Sequence, residues 1–169
     1  MPSPLVIRAR PELCHACFSC LVACAYAKLA LPEDAPLRPD YLYAARLSIQ
    51  LAGGYSVPVH CAQCASAPCL TVCPTGALQR AEPEGPIFSI LARCIGCKYC
   101  VLACPMGVLS LDSRTGLVQK CDQCRERMAT GRLPACVEHC PAGALEVVDL
   151  DRVIEAAAEN CARQAAAVL

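Results

Sequence analysis

The sequence contains no tryptophan, two phenylalanines and five tyrosines, so the large rings that fill ordinary cores are nearly missing. An apolar fraction of 56% does not repair this, because 28 of those residues are alanine and 17 are cysteine. A chain of 169 residues has the size of one ordinary domain or of two very small ones fused. With so thin a core it needs another source of cohesion, either disulfides or metal. Charge of one sign is also missing: fifteen basic residues balance fifteen acidic ones, which leaves no basic face to argue for nucleic acid. Long apolar runs are absent too. Leu5-Val6-Ile7 is too short for a signal peptide, no twin arginine precedes it, and nothing approaches the length of a membrane span. The expectation is a cytoplasmic chain whose thiols stay reduced or bind metal, since a disulfide framework needs an oxidising compartment. No Gly-rich phosphate loop, carboxylate pair beside a nucleophile or CxxxCxxC triad offers chemistry on an organic substrate.

What is present is cysteine, one residue in ten, arranged in four sets of four. Cys14, Cys17, Cys20 and Cys24 follow the spacing C-x2-C-x2-C-x3-C, as do Cys94, Cys97, Cys100 and Cys104. Cys61, Cys64, Cys69 and Cys73 have one wider gap, C-x2-C-x4-C-x3-C. In the last set eleven residues separate Cys121 and Cys124 from Cys136 and Cys140. Three sets close alike, as Cys73-Pro-Thr-Gly-Ala-Leu, Cys104-Pro-Met-Gly-Val-Leu and Cys140-Pro-Ala-Gly-Ala-Leu. The Pro disfavours helical geometry at the Cys before it, the Gly permits a tight turn, and the apolar pair starts a strand. The first set departs from this, with Ala25 in place of Pro.

An iron–sulfur cube offers four irons to four thiolates. The bacterial run C-x2-C-x2-C-x3-C-P gives three ligands to one cube and its fourth Cys to the neighbouring one. Such motifs work in pairs, so four motifs imply four [4Fe–4S] clusters on sixteen cysteines, every iron saturated and none left open to substrate. Each cube with four thiolates is dianionic in its oxidised state, which the formal net charge omits. Zinc is the weaker alternative, because structural zinc uses two separated ligand pairs around one ion. Cys161 is left over and is expected to be a small buried hydrophobe whose truncation costs about 1 kcal/mol. His15, His60 and His139 each adjoin a ligand Cys and could bind iron, but with every set complete they read as second partners or solvent-facing groups. Lys98, Lys120 and Arg125 could tune a potential or meet a partner; the plainer expectation is solvated surface charge.

Between the sets the chain reads as short hairpins: 77–80 with 87–90 across Glu82-Pro-Glu-Gly-Pro86, 108–111 with 117–120, and 41–51 with 55–60 across Gly53-Gly54. Residues 151–168 read as the one convincing helix, with Leu150, Val153, Ile154, Ala157, Cys161 and Ala165 at helical spacing. The predicted class is α+β, with short β-hairpins, cysteine loops and a C-terminal helix.

The runs from Cys61 to Ala77, from Cys94 to Val108 and from Lys120 to Leu145 resemble the four-cluster, ferredoxin-like electron-transfer subunits of oxidoreductase complexes. These serve formate dehydrogenases, nitrate and dimethyl sulfoxide reductases, formate hydrogenlyase, carbon monoxide dehydrogenases and tungsten aldehyde oxidoreductases. The resemblance covers residues 12 to about 149; the first motif diverges, with Ala16 where the family usually has Gly. Spacing shows only that ligands are shared. The resemblance implies that the sharing is nested: Cys14, Cys17, Cys20 and Cys140 on one cluster; Cys24, Cys121, Cys124 and Cys136 on a second; Cys61, Cys64, Cys69 and Cys104 on a third; Cys73, Cys94, Cys97 and Cys100 on the last. It implies two halves of the bacterial 2[4Fe–4S] ferredoxin type, an outer one of residues 1–55 and 112–149 and an inner one of 56–111, followed by the helix 150–169. It further implies a catalytic partner, first a molybdenum- or tungsten-pterin enzyme such as an aldehyde oxidoreductase or formate dehydrogenase, second a carbon monoxide dehydrogenase or hydrogenase. A flavin or other electron-accepting subunit could complete the complex. The rival readings are a free-standing polyferredoxin shuttle and a structural or regulatory role for the clusters.

Overall fold

Four separate two-stranded antiparallel sheets organise the chain, which is described here as a computed structural model over residues 5–32, 34–83 and 85–166. Three are the hairpins expected from sequence: β2 (Ser48–Ala52) with β3 (Tyr55–Val59), β4 (Leu78–Arg80) with β5 (Ile87–Ser89), and β6 (Ser110–Leu111) with β7 (Val118–Gln119). The β4–β5 turn contains Glu84, which lies outside the described residues. The fourth sheet joins distant segments, pairing β1 (Leu5–Ala9) with β8 (Leu145–Asp149) so that Leu5 faces Asp149 and Ala9 faces Leu145. It fastens the first cysteine set beside the last.

Two expectations need correction. The strand expected from Tyr41 begins only at Ser48, because Pro39–Ala44 forms a 3₁₀ turn with Pro39 at its start. Tyr41 in that turn packs edge-on against Tyr26, ring centroids 6.1 Å apart. Second, the C-terminal helix is not the only substantial one. Helix α1 (Ser19–Leu29) runs through Cys20 and Cys24 for eleven residues. Its cause is Ala25: without the Pro that ends the other sets, nothing disfavours helix at Cys24. The other cysteine sets carry only single helical turns, α2 (Pro68–Thr71), α3 (Tyr99–Ala103), α4 (Arg125–Ala129) and α5 (Ala135–Glu138).

The three Cys-Pro-x-Gly segments fold identically. Gly76, Gly107 and Gly143 each sit at φ 61°, and each donates its N–H to the carbonyl of the Cys three residues earlier, at 3.3, 3.2 and 3.1 Å. The left-handed φ is why Gly stands there. Each turn delivers the next two residues inward, among them Ala77, Leu78, Leu109, Ala144 and Leu145, all buried.

Packing divides into two clusters. Around Cys69 and Cys100 lie Leu78, Leu109 and Val118, and α2 packs on α3. Around Cys20 and Cys136 lie Ile7 and Leu145, with Leu47 and Ile49 against them, and α1 packs on α5. Among the described residues nineteen apolar ones are buried, of which seven are Cys and six Ala. The thin core expected from composition is what the fold has.

Helix α6 (Leu150–Ala166) is capped by the Asp149 carboxylate, which accepts the N–H groups of Asp151 and Arg152 at 3.0 and 3.2 Å. Its expected last two residues, 167 and 168, lie outside the described residues. The helix packs on β8 through its first turns, and beyond Val153 its apolar side chains stand in solvent, Ile154 at 57% exposure. Cys161 is therefore exposed rather than buried. Helical spacing placed it on the apolar side, but no described element covers that turn. Cys161→Ala is expected to leave iron content unchanged and to shift unfolding free energy by no more than about 0.5 kcal/mol, read by metal analysis and thermal denaturation.

Candidate metal centres

Each cysteine loop is shaped by a left-handed residue at the same place, two after the first Cys of its set: Ala16 at φ 52°, Gln63 at 52°, Gly96 at 67° and Gln123 at 56°. For the three with side chains this conformation costs about 1–2 kcal/mol each. Turns of alternating hand point successive backbone amides at a common anionic centre. Backbone N–H groups do reach sulfur: Arg46 donates to Cys24 Sγ at 3.3 Å, Gln63 to Cys61 Sγ at 3.5 Å and Ala144 to Cys140 Sγ at 3.2 Å.

Two small cavities are each walled by four cysteines. Cys61, Cys64, Cys69 and Cys104 line one; Cys73, Cys94, Cys97 and Cys100 line the other. Each takes three from one set and the fourth from its partner set. At the other end of the molecule, burial pushes the Cys20 thiol up to about 11, with charge on Cys140 and Cys17 adding to it. Burial first, and then the neighbouring thiols of Cys24, Cys121, Cys124 and Cys20, push Cys136 far up. Cys121 is pushed up to about 12 by burial, with Cys24 and Cys61 among its neighbours. Hydrogen bonding to Ser19, by contrast, brings the exposed Cys17 down. All seventeen cysteines are outside disulfides.

A matching family model, described as a 4Fe-4S dicluster domain, spans residues 53–150, more than half of the chain. The chain belongs to the 4Fe-4S dicluster family. Its similar proteins include an iron-sulfur protein of Rhodospirillum rubrum, 38% identical over 96% of this chain and 91% of that one. The thiosulfate reductase electron transfer subunit PhsB of Salmonella typhi is 40% identical, over 82% of this chain and 72% of the other. The electron transport protein HydN of Escherichia coli (strain K12) is 34% identical over 94% and 96%. Relatives of this 4Fe-4S dicluster protein are thus electron-transfer iron–sulfur proteins and subunits.

The donor set fits such clusters. Among the described residues, no three His, Cys, Asp or Glu side chains converge closely enough for a single metal ion. Four sulfurs spread around a cavity suit a cube, whose thiolates stand farther apart than those on one zinc. The burial that pushes Cys20, Cys121 and Cys136 up disfavours their thiolates, and a bound cationic metal would offset that cost. No helix among the described residues is long and apolar enough to cross a membrane.

In this dicluster protein no histidine lines either of the two four-cysteine cavities. His60 Nδ1 lies 3.2 Å from the Cys61 carbonyl and burial pushes its pKa down, while the exposed His139 turns Nδ1 to the Ala135 carbonyl at 3.0 Å. His15 is exposed, as is Lys98. Arg125 stacks its guanidinium 4.2 Å from the Phe88 ring centre, tying α4 to β5. The expectation of solvated charge fails for Lys120, which is 4% exposed with Nζ 3.1 Å from Cys61 Sγ. The reason lies at the β7 end, where Gln119 and Lys120 run inward between the second and fourth sets.

Sequence reasoning missed several supports. Gln63 Nε2 donates to the Cys121 carbonyl at 2.9 Å while its Oε1 accepts the Ile87 N–H at 2.9 Å. Gln123 Nε2 donates to the Leu5 carbonyl at 3.1 Å. Arg80 braces the second set through the carbonyls of Cys64 and Ala65 at 2.6 and 3.1 Å. Lys28 of α1 pairs with Asp122, which also accepts the Cys124 N–H at 3.0 Å. The signal for the glutamines was the shared C-x-Q-C at 61–64 and 121–124.

Proposed function

We propose that the chain holds four [4Fe–4S] clusters on sixteen cysteines and conducts single electrons between a catalytic oxidoreductase subunit and a further donor or acceptor. The observation that carries this is the pair of cavities walled by four cysteines drawn three and one from two sets. Cys61, Cys64, Cys69 and Cys104 hold one cluster and Cys73, Cys94, Cys97 and Cys100 the next. By the same logic Cys24, Cys121, Cys124 and Cys136 hold a third and Cys14, Cys17, Cys20 and Cys140 the fourth, supported by the β1–β8 pairing and by the packing of α1 on α5. Two ferredoxin-like halves follow from these sets, with both expected boundaries, 55/56 and 111/112, moved. The hairpins β2–β3 and β6–β7 each stay whole, because Ile49 packs in the outer cluster and Val118 in the inner one.

Bound clusters supply reversible one-electron storage. The chain's own residues hold the sulfurs, bury seven of the sixteen cysteines and half-bury seven more, and donate N–H groups to Cys24, Cys61 and Cys140. Cys17 and Cys97 are exposed, so electrons reach the surface beside them, at the two ends of the series. With every iron bound by Cys, the chain has no substrate site of its own. Thiols outside disulfides suit the cytoplasm. Similarity to a thiosulfate reductase electron transfer subunit favours a catalytic reductase subunit as partner; the resemblance drawn from the cysteine motifs ranks a molybdenum- or tungsten-pterin enzyme first and a carbon monoxide dehydrogenase or hydrogenase next.

A diffusing polyferredoxin is the second reading, favoured by the near full-length match to a protein named only for electron transport. Purified anaerobically from its own cells, the chain is expected to bring a catalytic subunit with it; recovery as a lone chain would favour the shuttle. Alone, it is expected to take electrons from a strong reductant and to turn over no formate, aldehyde or carbon monoxide. Steady turnover of any of these by the isolated chain would overturn the proposal.

A further inference from the structure

Lys120 is the one buried lysine of the described residues, 4% exposed, and its ammonium is fully engaged. Nζ donates to Cys61 Sγ at 3.1 Å, to the Cys121 carbonyl at 2.9 Å and to Gln63 Oε1 at 3.4 Å. An ammonium has three N–H groups, so none is left over. Asp122, the carboxylate nearest in sequence, is committed to Lys28. A cation taken out of water costs free energy unless an anion compensates it. Among its three partners only Cys61 can carry negative charge.

We infer that Lys120 is a positioning residue that sets a reduction potential at the junction of the two halves. It raises the potential of the cluster assigned above to Cys61, Cys64, Cys69 and Cys104; the inference rests on that assignment. Reduction adds an electron to a centre already negative, and a cation hydrogen-bonded to a ligand sulfur stabilises the reduced form more than the oxidised one. Burial keeps that field strong. Lys98 beside Cys97 carries the same charge but stands in solvent, where screening weakens it. Position makes the effect specific, because Cys61 belongs to the inner pair of sets and Cys121 to the outer pair. Gln63, which accepts from Nζ and itself donates to the Cys121 carbonyl at 2.9 Å, completes a hydrogen-bonded link between them. The raised potential therefore falls inside the series, between the ends exposed at Cys17 and Cys97.

The test is a potentiometric titration of the anaerobically purified full chain, followed by electron paramagnetic resonance, with iron content measured on each sample. In Lys120→Met, one centre is expected to lose at least about tenfold in its reduction equilibrium, a fall of about 59 mV for one electron. Lys120→Arg, which keeps the charge, is expected to restore most of that shift. Full iron content with all midpoints unchanged in Lys120→Met would overturn the inference. Should Lys120→Met lose iron, Lys120→Gln provides the reading: it keeps a donor without the charge, and an unshifted midpoint in it would overturn the inference equally. Loss of iron in both would also overturn it, since Lys120 would then build the site rather than tune it. A wild-type titration without four one-electron centres would instead remove the assignment beneath it.

Discussion

A chelator strong enough to strip iron from the folded chain is expected to abolish its cooperative thermal transition and most of its regular structure, as read by calorimetry and circular dichroism. The expectation comes from what is buried. Beyond cysteine and alanine, only Ile7, Leu78, Ile87, Leu109, Val118 and Leu145 are buried apolar residues among those described. Both packing clusters are built around cysteines, Cys69 and Cys100 in one and Cys20 and Cys136 in the other. Removing the metal leaves holes at the centre of each and takes away the anionic centre that offsets the left-handed strain at Ala16, Gln63 and Gln123. Domains of ordinary size are stable by only roughly 5–15 kcal/mol, which lost metal ligation would exceed. A chain that unfolds at the same temperature after complete iron removal would show that the side chains alone suffice.

The second large effect concerns which cysteines share a cluster. Cys24→Ala is expected to remove about four irons, one cube, from the chain. Combining it with Cys136→Ala should remove no more, because both residues serve one cluster, whereas combining it with Cys69→Ala should remove about eight. Helix α1 buries Cys24 and packs on α5, the single turn that carries Cys136. If the first set instead paired with the second, the outcome would reverse: Cys24→Ala with Cys69→Ala would cost one cube and Cys24→Ala with Cys136→Ala two. Metal analysis of three variants decides between them.

How much of this could be read from residue order differs by element. The hairpins were legible because each is local, flanked by turn residues a few positions apart, and the Cys-Pro-x-Gly repeat announced a turn that recurs at φ 61° in all three copies. Sheet β1–β8 was not, since nothing in Leu5–Ala9 names a partner more than a hundred residues away. Helix α1 was half visible: the absence of Pro at Ala25 was plain, but its consequence for backbone geometry was not drawn. Periodicity placed Cys161 correctly on a helix and wrongly inside the protein, because a pattern shows which face is apolar and not whether anything covers it. Lys120 failed for the opposite reason. A lysine next to a cysteine carries no mark of burial, and only the inward path of β7 brings it under Cys61. Gln63 and Gln123 could have been found, for the same residue at the same place in two loops is a signal of shared backbone work.

The central claim is that this thin core is organised around four cubes. Iron and acid-labile sulfide, counted together per chain after strictly anaerobic purification, test it most directly. The account expects about sixteen of each, four per cube. Zinc in place of iron, or iron and sulfide nearer eight of each, would contradict it.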